Sequence, residues 1–293
     1  MRSKWADIDG PVHYADFGGT GRPLVLLHGL GGSYVEWLLL APRLAKRFRV
    51  LAPDFVGFGR TPIKHRRATL DANQRLADLF LAKVVKAPAI VVGHSMGGLI
   101  AMLQAGRNPE SVSELVLIDP AMPPAGKEVT PVIPKRLMNL IENSPLLGNL
   151  AGLLAARITS PRGLVESALK RAVVDFDSLD QGLVDGLVAI EEERIRAGQP
   201  YVGYTEARMS LGEIYRDLPS FDRQVVAPIT APTMLIYGGS DLVVQRIAIN
   251  RVAKKRPDWT LRVIDDVGHD PNMEVPDRVT ELILEHLKLA AAS

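Results

Sequence analysis

The chain has 293 residues, 47% of them hydrophobic, which is enough for one large α/β domain or for a domain that carries an insertion. Its 35 Lys and Arg nearly balance 33 Asp and Glu, and a net charge of +2 gives no electrostatic case for a nucleic acid or an anionic membrane as partner. The absence of cysteine excludes disulfides, thiolate metal sites and a cysteine nucleophile, and suits a reducing compartment.

The first ten residues, MRSKWADIDG, contain no apolar run, so no signal peptide is expected. No later stretch reaches the ~18 uninterrupted apolar residues of a membrane-spanning helix, and a cytoplasmic protein without membrane insertion is the expectation. Residues 4–18 alternate polar and apolar around Asp9-Gly10, the signature of an antiparallel hairpin. The aliphatic run PLVLL at 23–27 suits a strand buried on both faces and empties into His28-Gly29-Leu30-Gly31-Gly32. Ser33 followed by Glu36 reads as a capping box for a helix to about residue 46. A short strand at 49–52 leads into the glycine-punctuated DFVGFG at 54–59, and Leu76, Leu79, Phe80 and Val84 recur at helical spacing over 70–85. The stretch AIVVGHSMGGLIAMLQA at 89–105 combines a strand, a glycine-flanked serine and an apolar helix, and another buried strand follows at 114–118.

There the strand–helix rhythm stops. Residues 121–228 hold no convincing strand, only helical periodicity at 137–141, 146–158, 164–176, 183–195 and 207–215, and are too long for a loop. The rhythm resumes with strands at 233–237 and 261–264 and helices at 244–255 and 277–289. The expected fold is α/β, a doubly wound, mostly parallel sheet. Residues 1–120 and 229–293 form its core domain, and residues 121–228 a helical cap, or lid, inserted into it.

Gly93-His94-Ser95-Met96-Gly97 fits G-x-S-x-G, in which small neighbours permit a strained strand-to-helix turn that exposes the serine hydroxyl at a helix N-terminus. In a parallel sheet ligands gather at the carboxyl ends of strands. Ser95, Asp241 and His269 all fall at such ends, in the order nucleophile, acid, base. Asp119 also ends a strand and is the rival acid. His94 and His28 read as structural hydrogen-bonding residues and Asp54 as a loop-former, while His13, His65 and His286 lie in segments without convergent chemistry. The six histidines show no HExxH spacing, so no metal site is expected.

With HGLGG at 28–32, DFVGFGRT at 54–61, GHSMGG at 93–98, GGSD at 238–241 and GHDPNMEVP at 268–276, the sequence resembles the α/β-hydrolase fold serine hydrolases of the capped, esterase-like kind over nearly its full length. The resemblance implies Ser95 as nucleophile, His269 as base and Asp241 as orienting acid, with oxyanion donors from the backbone N–H groups of Leu30 and Met96. It also implies a carboxylesterase-like enzyme with a small-molecule ester substrate and no cofactor. Alternatives on the same fold are a carbon–carbon bond hydrolase of a ring-fission dienone, a lactonase, a cofactor-free perhydrolase and a non-catalytic binding protein. Relatives that dehalogenate or open epoxides place an aspartate where Ser95 stands, which argues against those activities. Trp37, Leu30 and Met122 are candidate pocket walls, and the leucine- and glycine-rich 146–158 suggests a smooth apolar acyl site. No basic cluster in the lid sequence demands a carboxylated substrate.

Overall fold

A strand made wholly of aliphatic side chains has no face to offer water and must be covered on both sides. In the computed structural model, which describes residues 1–124, 159–198 and 201–290, such runs occupy the middle of the sheet. Among the described residues the strands are β1 (Arg2–Asp7), β2 (Pro11–Gly18), β3 (Pro23–Leu27), β4 (Arg49–Pro53), β5 (Ala89–His94), β6 (Val112–Ile118), β7 (Thr233–Gly238) and β8 (Thr260–Ile264). They form one sheet in the order β1-β2-β4-β3-β5-β6-β7-β8. The β1–β2 hairpin expected around Asp9-Gly10 is present, β2 pairs antiparallel with β4, and every other pairing is parallel.

Alternate side chains of a strand face opposite ways. Leu27, Val91, Leu115 and Leu235 therefore join one core, beneath α2 (Leu70–Phe80), α3 (Met96–Arg107) and α8 (Arg246–Lys255). Leu26, Ile90, Val116 and Ile236 join the other, with α1 (Ala41–Leu44) and α10 (Pro276–Ala290). Each such buried side chain contributes on the order of 2 kcal/mol of hydrophobic stabilisation. Between β6 and β7 the described residues form α4 (Pro161–Ala172), α5 (Gln181–Arg196), α6 (Val202–Ile214) and α7 (Leu218–Phe221) and no strand. The helices expected at 137–141 and 146–158 lie outside the described residues. The short α9 (Pro271–Glu274) precedes α10.

The topology places the site. From β3 the chain moves outward to β4, then returns to the opposite side of β3 as β5, so the strand order reverses between β3 and β5. At such a switch point the two loops leaving the carboxyl ends diverge and open a crevice. Those loops begin at His28 and Ser95.

Two expectations need correction. The helix foreseen over 33–46 is broken into a 3₁₀ turn, Tyr34–Trp37, and the four residues of α1, which restarts with Pro42 in its first turn. Ser33 caps the first piece by accepting from the Val35 N–H, but Glu36 does not complete the capping box, because its carboxylate turns inward to the Gly29 N–H and His94. His13, read as lacking convergent chemistry, is fully buried and bonds Asp54 Oδ2 through Nδ1 at 2.7 Å. A carboxylate can only accept, so Nδ1 donates, and the Ser3 hydroxyl at 2.8 Å donates to Nε2 when the ring is neutral. This chain ties the edge hairpin to the loop after β4.

Candidate active site

Ser95 stands between β5 and α3 with φ +50° and ψ −118°, a conformation that costs on the order of 1–3 kcal/mol and persists only where the surroundings hold it. Backbone hydrogen bonds supply that hold: Ser95 N–H donates to Ile118 O, and Ala121 N–H donates to Ser95 O. Packing supplies the rest. A Cβ at Gly97 would overlap the carbonyl oxygens of Leu27 and His28, and one at Gly93 would overlap that of Gly97. The glycines of G-x-S-x-G are thus required by close backbone approach, which presses the turn against the loop after β3 and presents the Ser95 side chain at the crevice.

His269 Nε2 lies 2.9 Å from Ser95 Oγ, and its Nδ1 lies 2.8 Å from Asp241 Oδ2. The other Asp241 oxygen accepts from the backbone N–H groups of Val243 (2.6 Å) and Val244 (3.0 Å). Burial alone would push this carboxyl up, but the hydrogen bond and charge of His269, with the Val244 and Val243 N–H groups, outweigh it and hold it below the ordinary aspartate value. A carboxylate on Nδ1 fixes the proton there and leaves Nε2 free to accept from the serine. Ser95, Asp241 and His269, distant in sequence, are thereby joined in one hydrogen-bonded chain.

Asp119, the rival acid, is fully buried, has φ +40° and accepts from the Gly238 N–H at 3.0 and 3.2 Å. It lies next to Asp241 and does not line the cavity. Burial first, and then the charge of Asp241, drive its carboxyl well above the ordinary value. Asp119, Asp241 and His269 each bring one potential ligand atom to within 4.8 Å of the others, a spacing that a metal site would share. Here Asp241 bonds His269, Val243 and Val244, and Asp119 bonds Gly238, a hydrogen-bonded use of the same atoms.

Leu30 follows His28 and Gly29 at the end of β3, and Met96 opens α3, where backbone N–H groups have no partner within the helix. Gly29 packs so closely on the elbow that a Cβ there would stand 3.4 Å from that of Ser95. The loop is braced from behind: the Phe55 N–H donates to His28 Nε2 at 3.0 Å, which leaves Nδ1–H to donate to Gly29 O at 2.8 Å. His28 is a structural residue, as its position suggested.

The chain opens into a cavity of about 1030 Å³. Leu30 and Met122 line it, and Leu169, Leu187, Met209 and Tyr215 face it from α4, α5 and the region of α6. Trp37 does not. It is 0% exposed and packs in the core with Leu40 and Leu44, because the 3₁₀ turn points it into the sheet. Arg171, Arg208 and Arg216 also line the cavity. They are scattered through the sequence, so no basic cluster was visible there, and the folding of α4 and α6 gathers them. Another group missed in sequence is the buried trio Glu36, His94 and Asp270, which lines the cavity next to His269.

The family model described as "Alpha/beta hydrolase family" matches residues 24–282. Lipase 1 of Psychrobacter immobilis is 28% identical over 92% of this chain and 78% of its own length. A 2-hydroxy-6-oxononadienedioate/2-hydroxy-6-oxononatrienedioate hydrolase 2 of Pseudomonas putida is 26% identical over 98% and 95%. The structure of a thermophilic esterase from Thermogutta terrifontis superposes with a TM-score of 0.73 at 23% identity, covering 99% of each chain.

Proposed function

The chain belongs to the alpha/beta hydrolase family, and from that premise we propose that it cleaves carboxylic esters through an acyl-enzyme on Ser95. The observation that carries the reading is the continuous Ser95–His269–Asp241 hydrogen-bonded chain at the base of a large cavity. A serine hydroxyl is a weak nucleophile until a neighbouring base takes its proton. Nε2 of His269 is in reach to do so as Ser95 Oγ attacks the ester carbonyl, and Asp241 steadies the imidazolium that forms. The Leu30 and Met96 N–H groups stabilise the oxyanion, a role in which one donor is typically worth ~3 kcal/mol. His269 then returns the proton to the departing alcohol, and water releases the acid by the same route. Residues 121–228 act as the cap that shapes the substrate site.

A second reading, hydrolysis of a carbon–carbon bond in a ring-fission dienone, has a specific observation in its favour. Arg171, Arg208 and Arg216 give the cavity cationic groups that a substrate with a free carboxylate would use, and one relative carries the name of such a hydrolase. A panel of p-nitrophenyl esters, with and without a terminal carboxylate, run beside a ring-fission dienone decides between them. Ester turnover with negligible dienone cleavage supports the first reading, and the reverse result replaces it with the second. A cytoplasmic location is part of the same proposal, supported by the absence of cysteine.

A further inference from the structure

Beside the reacting atoms, on the wall of the same cavity, lies a set of buried ionisable side chains that the steps above do not use. His94 Nδ1 is 3.1 Å from Glu36 Oε2, while Nε2 is 2.9 Å from the carbonyl oxygen of His269 and 3.3 Å from Asp270 Oδ1. Glu36 in turn accepts from the Gly29 N–H through both oxygens, at 3.0 and 3.2 Å. It packs so tightly against Gly32 that a Cβ there would overlap its carboxylate. Asn272 Nδ2 donates to Glu36 O at 3.3 Å, and Asp270 O accepts from Met273 and Glu274 N–H. His94, Glu36 and Asp270 are all nearly inaccessible.

The three loops that carry the chemistry are thus tied through one side chain. Gly29 immediately precedes the Leu30 donor, His94 immediately precedes Ser95, and the carbonyl that His94 holds belongs to His269 itself. We propose that His94, clamped between Glu36 and Asp270, is a positioning residue that fixes the oxyanion loop and the His269 loop relative to Ser95. It acts through the backbones it holds, and the assignment rests on the reading of Ser95 as nucleophile.

Holding both neighbours requires an N–H on each ring nitrogen at once, which only the protonated ring provides. The surroundings favour that form. Burial opposes it, but the Glu36 hydrogen bond and the charges of Asp270 and Glu36 push the His94 pKa up to about 9. The other titratable groups facing this cluster are His28 beside Glu36, and Asp241, His269, Glu274 and Asp119 around Asp270, with the His269 ring 5.0 Å from that of His94. Glu36 is held below the ordinary glutamate value, since the hydrogen bond and charge of His94 outweigh its burial.

The test has two arms. In the intact protein, ¹⁵N NMR of the His94 ring at pH 7.5 is expected to show both nitrogens protonated; a ring with an unprotonated Nε2 has nothing to give the His269 carbonyl and overturns the proposal. In the second arm, His94→Gln and the isosteric Glu36→Gln, checked for folding by near-UV circular dichroism, are assayed on the best ester substrate. Misplaced catalytic groups are expected to lower kcat on the order of 100-fold with KM changed little. Variants that keep wild-type kcat, or that change only KM, overturn the positioning role alone. A wild-type protein that turns over no ester and takes no label at Ser95 overturns the nucleophile reading and the proposal with it.

Discussion

Replacing Asp241 by Asn is the substitution whose outcome the local hydrogen bonds dictate most fully. The Asn carbonyl oxygen takes the place of the Asp241 oxygen that accepts from the Val243 and Val244 N–H groups, since an amide nitrogen there would face two donors. The NH₂ group must then point at His269 Nδ1, formerly 2.8 Å from a carboxylate oxygen. Nδ1 becomes an acceptor, the ring proton moves to Nε2, and Nε2 can no longer take the Ser95 proton. In the template serine protease the same exchange costs ~10⁴ in kcat, a value taken from that enzyme, and at 1.36 kcal/mol per decade this is about 5.5 kcal/mol. Asp119→Asn should behave otherwise. Its carbonyl oxygen can still accept from the Gly238 N–H, and the exchange removes a charge that burial and the nearby Asp241 carboxylate already disfavour. A loss within about tenfold is expected, the scale of one adjusted hydrogen bond. The assay is kcat/KM on a p-nitrophenyl ester at pH 8, with folding checked by circular dichroism. Asp241→Asn within tenfold of wild type, or a larger loss for Asp119→Asn than for Asp241→Asn, would refute the reasoning and move the acid to Asp119.

Three further outcomes are expected. A His94 pKa raised from 6.5 to about 9 contributes about 3 kcal/mol of stability, present in full below pH 6.5 and lost as pH rises through about 9. The difference in urea unfolding free energy between wild type and His94→Gln should therefore shrink from pH 6 to pH 10, and a constant difference would contradict this. Gly97→Ala should abolish ester turnover and lower the yield of folded protein, because the added methyl meets backbone rather than a movable side chain; wild-type activity would show that the elbow can relax. Met209→Ala and Leu187→Ala should shift KM and acyl-length preference while leaving the pH profile unchanged, and an unaltered ester profile would remove those helices from the substrate site.

The features legible in the sequence share one property: local pattern determines them. Aliphatic runs such as PLVLL and the glycines around Ser95 fix strand and turn by short-range sterics, and strand ends in a parallel sheet bring Asp241 and His269 to the same edge. What local pattern could not reveal was set by partners far along the chain. Glu36 fits a capping box by spacing, but a buried imidazole 58 positions away and the Gly29 N–H compete successfully for its carboxylate. Trp37, a candidate pocket wall in the sequence, closes the 3₁₀ turn Tyr34–Trp37 and packs into the core instead. The arginines of the cavity and the Ser3–His13–Asp54 chain are likewise products of tertiary folding that single positions do not announce.

The Ser3–His13–Asp54 chain also sharpens the most direct test of the nucleophile. Its atoms are bonded in the same sense as those of Ser95, His269 and Asp241, yet Ser3 does not line the cavity and stands on the edge strand β1. Reaction with a fluorophosphonate followed by peptide mapping reads which hydroxyl is activated. A single adduct on Ser95, absent from Ser95→Ala along with ester turnover, is the expected result. Labelling that persists in Ser95→Ala, or an adduct on another residue in the wild-type protein, would contradict the assignment of Ser95 as the nucleophile.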